Sequence, residues 1–249
     1  MATSLGRRLA ASALALSCAA APKQRAGDAL PGASEIPQVS GSRGESDDGF
    51  LQPNAEDSDG TPMYVHYTAE DMPLRVDVQL PKLAARYASR EQTDAAVLEA
   101  IRGWEAAIQP SVPWFKLEIV RGERDADIEV QWKSRITGDA SGWGGLGWST
   151  VGGRIRVRGR LEYATKPCLA IECQLDLGQL KLIVTHEFGH TLGLMHCLDC
   201  DSAMNYSWET RERVLITEVD LRTIRALYAL PNGTRVDGTL ARSLRPVPR

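Results

Sequence analysis

The stretch His186-Glu187-Phe188-Gly189-His190-Thr191-Leu192-Gly193-Leu194-Met195-His196 decides how this chain is read. Just upstream, Asp176 can cap a helix beginning near Leu177, and Leu180, Ile183 and Val184 supply a buried face that runs straight into the stretch. Residues four apart stack on one face of a helix, so His186 and His190 can turn imidazole nitrogens to one metal ion, with Glu187 beside them. Gly193 stands where the chain must leave the helix, with a positive φ expected there, and His196 brings a third imidazole round. Three nitrogen ligands and one open position are the arrangement of catalytic zinc, whereas structural zinc is closed by four protein groups. Zinc in such a site lowers the pKa of its bound water and polarises a carbonyl, and Glu187 is placed to carry the proton. Three of the chain's four histidines fall within these residues; the fourth, His66, reads as an ordinary strand histidine.

Working outward, Leu74, Val76, Val78 and Leu80 alternate with Arg75, Asp77 and Gln79, the period of a half-buried strand. Ser89 with Gln92 forms a capping-box pattern, and Val97, Ile101, Trp104 and Ile108 recur at helical spacing, which predicts an amphipathic helix over 90–108 with Trp104 in the core. Two further alternating runs follow, Phe115, Leu117, Ile119 and then Ile128, Val130, Trp132. Residues 138–153, dense in Gly and Trp, read as a loop; Ile155 and Val157, with Arg154, Arg156 and Arg158 facing solvent, read as an edge strand. A last helix is expected from Thr217, capped with Asp220, carrying Leu221, Ile224 and Tyr228 inward and stopped by Pro231-Asn232-Gly233.

The flanks differ in composition. In residues 1–21, Arg7 and Arg8 precede a short apolar run over 9–16, an export signal too short to span a bilayer. Ala15-Leu16-Ser17-Cys18 is similar to a bacterial lipobox, with its Leu one position early, which makes Cys18 a lipidation candidate; ordinary cleavage near residues 19–21 is the alternative. Residues 22–60, rich in Gly, Ser, Pro and acidic side chains, are expected to form a disordered tether or pro-segment, and residues 234–249 a disordered tail. That leaves a catalytic domain over 61–231. Cys168, Cys173, Cys197 and Cys200 make an even set in an oxidising compartment, so two disulfides are expected, paired between the clusters rather than across the short Cys197 to Cys200 loop. The rival is a structural zinc held by all four. With a formal net charge of -3 and no charge block, nothing points to nucleic acid.

With Met204 following, the histidine stretch resembles HExxHxxGxxH and the Met-turn of metzincin peptidases. The order of elements over about 63–230 is similar to that of matrixins. The resemblance implies an α+β zincin fold, a twisted mixed sheet of about five strands with three helices, and Met204 beneath a zinc held by His186, His190 and His196. It also implies a peptide or protein substrate lying antiparallel to the edge strand near residues 145–148, and a wall of the cleft over 205–216, where Trp208 is a candidate liner. Residues 22–60 carry no Pro-Arg-Cys-Gly-type switch. The Ser202-Ala203-Met204-Asn205-Tyr206 turn is closer to astacins and serralysins, which makes Tyr206 a candidate for stabilising the reacting carbonyl. Cys197 and Cys200 are similar in placement to cysteines of archaemetzincins. The sequence thus predicts an exported, monomeric zinc endopeptidase, with a second structural zinc or a calcium left open and membrane contact only through a lipid anchor. Its rivals are a zinc-containing surface binding protein without turnover and a non-proteolytic hydrolase.

Overall fold

The computed structural model describes residues 48–137, 140–198, 200–205 and 216–241. The expected lipidation site Cys18, the signal over 1–21, Tyr206 and Trp208 lie outside them. Among the described residues, no helix is long and apolar enough to cross a membrane.

The alternating runs become strands. β3 (Leu74–Val78), β4 (Leu117–Val120), β5 (Ile128–Trp132), β6 (Gly142–Val151) and β7 (Arg154–Tyr163) form a five-stranded sheet in the order β4-β3-β5-β7-β6. All neighbours are parallel except β6, which runs antiparallel to β7 at the sheet's edge. β1 (Ala55–Glu56), β2 (Pro62–Tyr64) and β8 (Thr234–Arg235) make a second, small antiparallel sheet.

One face of the large sheet carries α1 (Arg90–Ile108) and α2 (Leu177–Thr191), and α3 (Glu218–Ala229) packs against α1. Leu74, Val76, Val78, Ile128, Val130 and Leu161 from the strands meet Val97, Ile101, Trp104, Leu180, Val184 and Phe188 from the helices in one apolar core. Each helix starts where a side chain satisfies its free backbone amides: Ser89 with Gln92, Asp176 with Gln179, and Thr217 with Asp220 all form reciprocal capping boxes. Trp104 is fully buried, and its indole N–H donates to Thr185 O at 2.8 Å, fixing α2 against α1. His66 is a structural residue, its ring nitrogens on Tyr67 O and Leu230 O at 2.7 and 2.9 Å.

Four expectations are corrected. The Gly- and Trp-rich stretch is not a loop but the ten-residue edge strand β6, and the Ile155 and Val157 run is part of β7, an interior strand hydrogen-bonded on both sides. The fold also begins before residue 61. Phe50 N–H donates to Thr223 Oγ1 at 3.1 Å, and β1 lies at 55–56, because Phe50 and Leu51 pack against the core and side-chain hydrogen bonds hold the polar residues between. The expected tail contributes β8 before leaving the described residues. The cysteines pair locally, Cys168 with Cys173 and Cys197 with Cys200, at Cα separations of 5.6 and 5.9 Å. Cross-pairing is prevented because the two clusters flank opposite ends of α2, a 15-residue helix about 22 Å long, while a disulfide needs Cα atoms within about 7 Å. With all four sulfurs in disulfides, the four-cysteine zinc has no thiolates to bind it.

Candidate active site

The helical repeat of α2 places His186 and His190 one turn apart on one face, and the chain then turns at Gly193 with φ +99°. A side chain at 193 would be strained there, and its Cβ would stand 2.7 Å from Asn54 Nδ2. Beyond the turn, His196 faces back to the other two. The three Nε2 atoms form an equilateral triangle of 3.2 Å sides.

Carbonyl groups behind the rings fix which nitrogen faces inward. His186 Nδ1 lies 2.8 Å from Ala203 O, and His190 Nδ1 lies 2.7 Å from Leu194 O. A carbonyl only accepts, so each Nδ1 carries the proton and each Nε2 presents a lone pair to the centre. Burial lowers the proton affinity of all three rings. His190 is held well below its ordinary value by burial and by its two neighbours, and His196 is brought down to about 4 by burial and His186. Three neutral imidazoles with converging lone pairs repel one another and are accommodated by a cation. Tetrahedral zinc with nitrogens at about 2.0–2.1 Å requires nitrogens about 3.3 Å apart, which these side chains already approach. Among the described residues this is the one group of His, Cys, Asp and Glu side chains that converges as metal ligands do.

Glu187 is 7% exposed, and burial pushes its carboxyl up to about 8 while the Gly144 backbone amide opposes the shift by hydrogen bonding to it. This site for Glu187 depends on two glycines of β6 that the sequence reading missed. A Cβ at Gly142 would stand 2.7 Å from Glu187 Cγ, and one at Gly144 would stand 2.7 Å from Glu187 C and closer still to its carbonyl oxygen. Strand and helix therefore approach backbone to backbone beside the carboxylate. The signal was present as Gly142-Trp143-Gly144, two small residues of period two on one strand face.

Met204 is fully buried, its sulfur filling the space in front of Gly189 of α2. The turn carrying it is fixed at both ends. Asp220, fully buried at the start of α3, accepts from Ser202 Oγ, from Ala203 N at 3.1 Å and from Thr217 N at 2.8 Å. Cys197 N–H donates to Met204 O at 2.8 Å. Since Ala203 O holds His186, Asp220 reaches the first histidine through a single residue, Ala203. Neither role was visible in the sequence beyond the capping pattern of Thr217 and Asp220.

Comparison with known proteins agrees with this geometry. The matrixin family model matches residues 79–229, more than half of the chain. The chain is 31% identical over 147 residues to human matrix metalloproteinase-15, covering 55% of this chain and 22% of that protein. It is 28% identical over 156 residues to human neutrophil collagenase, covering 57% of this chain and 30% of the relative. The chain thus spans less than a third of the length of these relatives.

Proposed function

The chain belongs to the matrixin family, and from that premise we propose that it is a zinc-dependent endopeptidase in which His186, His190 and His196 hold the metal and Glu187 is the general base. One observation carries the reading: three Nε2 atoms of partly buried histidines at mutual distances of 3.2 Å, next to a buried carboxyl. The bound zinc would polarise the scissile carbonyl and acidify a water molecule. Glu187 takes the proton of the attacking water and delivers it to the departing amine, so no covalent enzyme intermediate forms. The Gly144 backbone amide hydrogen-bonds to the Glu187 carboxyl and helps to hold it in place.

The substrate would bind by strand addition. Among the described residues β6 is paired with β7 alone, so the far edge of residues 145–148 would offer backbone donors and acceptors to an extended peptide antiparallel to it. Specificity would then rest on the side chains that the peptide presents to the cleft. Tyr206 would be a candidate for stabilising the reacting carbonyl. The two disulfides, together with the expected export signal over 1–21 and Cys18 as a lipidation candidate, support an enzyme placed outside the cytoplasm.

The test is metal content of the purified chain by elemental analysis, together with cleavage of a quenched peptide before and after chelation. One zinc per chain, with cleavage lost on chelation and regained on zinc addition, is the expected result. A folded chain that takes up no zinc would refute the assignment.

A further inference from the structure

We propose that Gln52 and Asn54 are positioning residues of the metal centre, and that residues 49–54 act as a strap holding the third ligand in place. The proposal rests on the reading of the three histidines as metal ligands. Helix α2 delivers two of them on a rigid scaffold, but His196 sits three residues beyond the Gly193 turn, on a loop whose next residue, Cys197, bridges Asn205. A ligand triangle needs all three corners fixed, because an error of a few tenths of an ångström at one nitrogen is taken up in metal affinity.

The strap crosses that loop and bonds to both of its ends. Asn54 Nδ2 donates to Gly193 O at 2.9 Å, where the loop begins. Gln52 Nε2 donates to His196 O at 3.2 Å, the carbonyl of the ligand itself. Asn54 is in turn held by β2's continuation: its Oδ1 accepts from Val65 N, and its Nδ2 also donates to Val65 O, both at 2.9 Å. Every donor of the Asn54 amide is thus spent between a fixed strand and the ligand loop.

At the other end the strap is fastened to α3. Gly49 adopts φ +65°, and a Cβ there would stand 2.8 Å from Val219 O and 3.1 Å from Thr223 N, so the backbone lies directly on the helix. The next residue, Phe50, donates to Thr223 Oγ1. The same helix begins with Asp220, which holds the turn behind His186. One helix therefore references the first ligand through Asp220 and the third through the strap. A strap whose role were only to cover apolar surface would place its polar ends in water; this one places them on carbonyls 193 and 196.

The proposal predicts weaker metal binding without loss of the fold. In the full chain, Gln52→Ala and Asn54→Asp are compared with the native protein. Zinc affinity is measured by competition with a chromogenic chelator, coordination geometry by the visible spectrum of the cobalt-loaded form, and stability by melting of the metal-free form. Asn54→Asp preserves shape and the bond from Val65 N while removing both donors. Loss of outer partners of a ligand shell costs roughly 10–100-fold in metal affinity, which is the expected loss for each variant, with a changed cobalt spectrum. Gln52→Ala is expected to melt like the native chain when metal-free. The idea is overturned if Gln52→Ala keeps native zinc affinity and spectrum, or if affinity falls only in step with metal-free melting. Native protein that binds no zinc would instead refute the ligand assignment, and the strap with it. Should Asn54→Asp fail to fold, Gln52→Ala decides alone.

Discussion

Gly144→Ala is the substitution that the architecture of the site resists most directly. The added Cβ would stand 2.7 Å from Glu187 C and 2.9 Å from its Cα, where ordinary contacts are 3.4–4 Å. Both atoms are helix backbone in the middle of α2, so no side chain can rotate away, and β6 and α2 must separate by about 1 Å. A misplacement of about 1 Å at a catalytic group costs about 100-fold in rate, or about 2.7 kcal/mol of transition-state stabilisation. Overpacking of this kind also costs about 1–3 kcal/mol of stability, which melting temperature reports separately. The histidines are not touched, so zinc content should stay at the native ratio while kcat/KM on a quenched peptide falls. Gly145→Ala is the matched control, since its Cβ would meet only the Trp143 ring at 3.3 and 3.4 Å, the movable end of a side chain. If Gly144→Ala cleaves within about threefold of Gly145→Ala, backbone approach at Glu187 does not set the catalytic geometry and the reasoning fails.

Two further outcomes follow from buried charge. In the zinc-free chain, burial pushes the Glu187 carboxyl from its ordinary 4.5 up to about 8, so between those values the folded state keeps a proton that the unfolded state releases. Stability then falls as pH rises through that window and is unaffected by Glu187 below it. Glu187→Gln should flatten this fall in urea titrations with chelator present and, in the zinc form, retain metal while cleaving roughly 100–10,000-fold more slowly; parallel pH curves for the two proteins would count against a penalised charge. Arg235 is 7% exposed and bonds to Asp57 and Asp59, each at 3.1 Å, joining the strand before the site to the last strand of the domain. Arg235→Ala removes the guanidinium beside the buried Asp57 and should cost about 3–5 kcal/mol by urea denaturation, and a loss under about 1 kcal/mol would mean the pair contributes little.

What the sequence displayed well was what depends on near neighbours along the chain. The capping boxes at Ser89, Asp176 and Thr217 place helix starts because the partner lies three residues away. The His186, Glu187, His190 spacing works for the same reason. Alternation detects side chains packed on a core, so it does not show the strand β6, where Gly142 and Gly144 carry no side chain towards α2 and Gly144 packs on backbone. β7 seemed an edge because its arginines face water, yet exposure of one sheet face says nothing about hydrogen bonding along the other direction. Residues 49–54 seemed a tether because their composition cannot bury much apolar area; amide side chains bonding to distant carbonyls leave no periodic trace. The cysteine pairing turned on the length of α2 between the clusters, which a count of residues around each ring does not weigh.

Gly189 stands in the middle of the histidine stretch, at a position that pattern searches treat as free. A methyl group there would collide with the Met204 sulfur and lie 3.0 Å from Trp104 Cζ2. One volume is therefore shared among a helix interior, a turn fifteen residues later and a helix residue eighty-five positions earlier. Inheritance of this pocket should be joint: a lineage that enlarges position 189 has to shrink 204 or 104 in compensation, and either change alone is a dead end. The unlettered positions of the metal motif thus carry information of their own, written in space left empty.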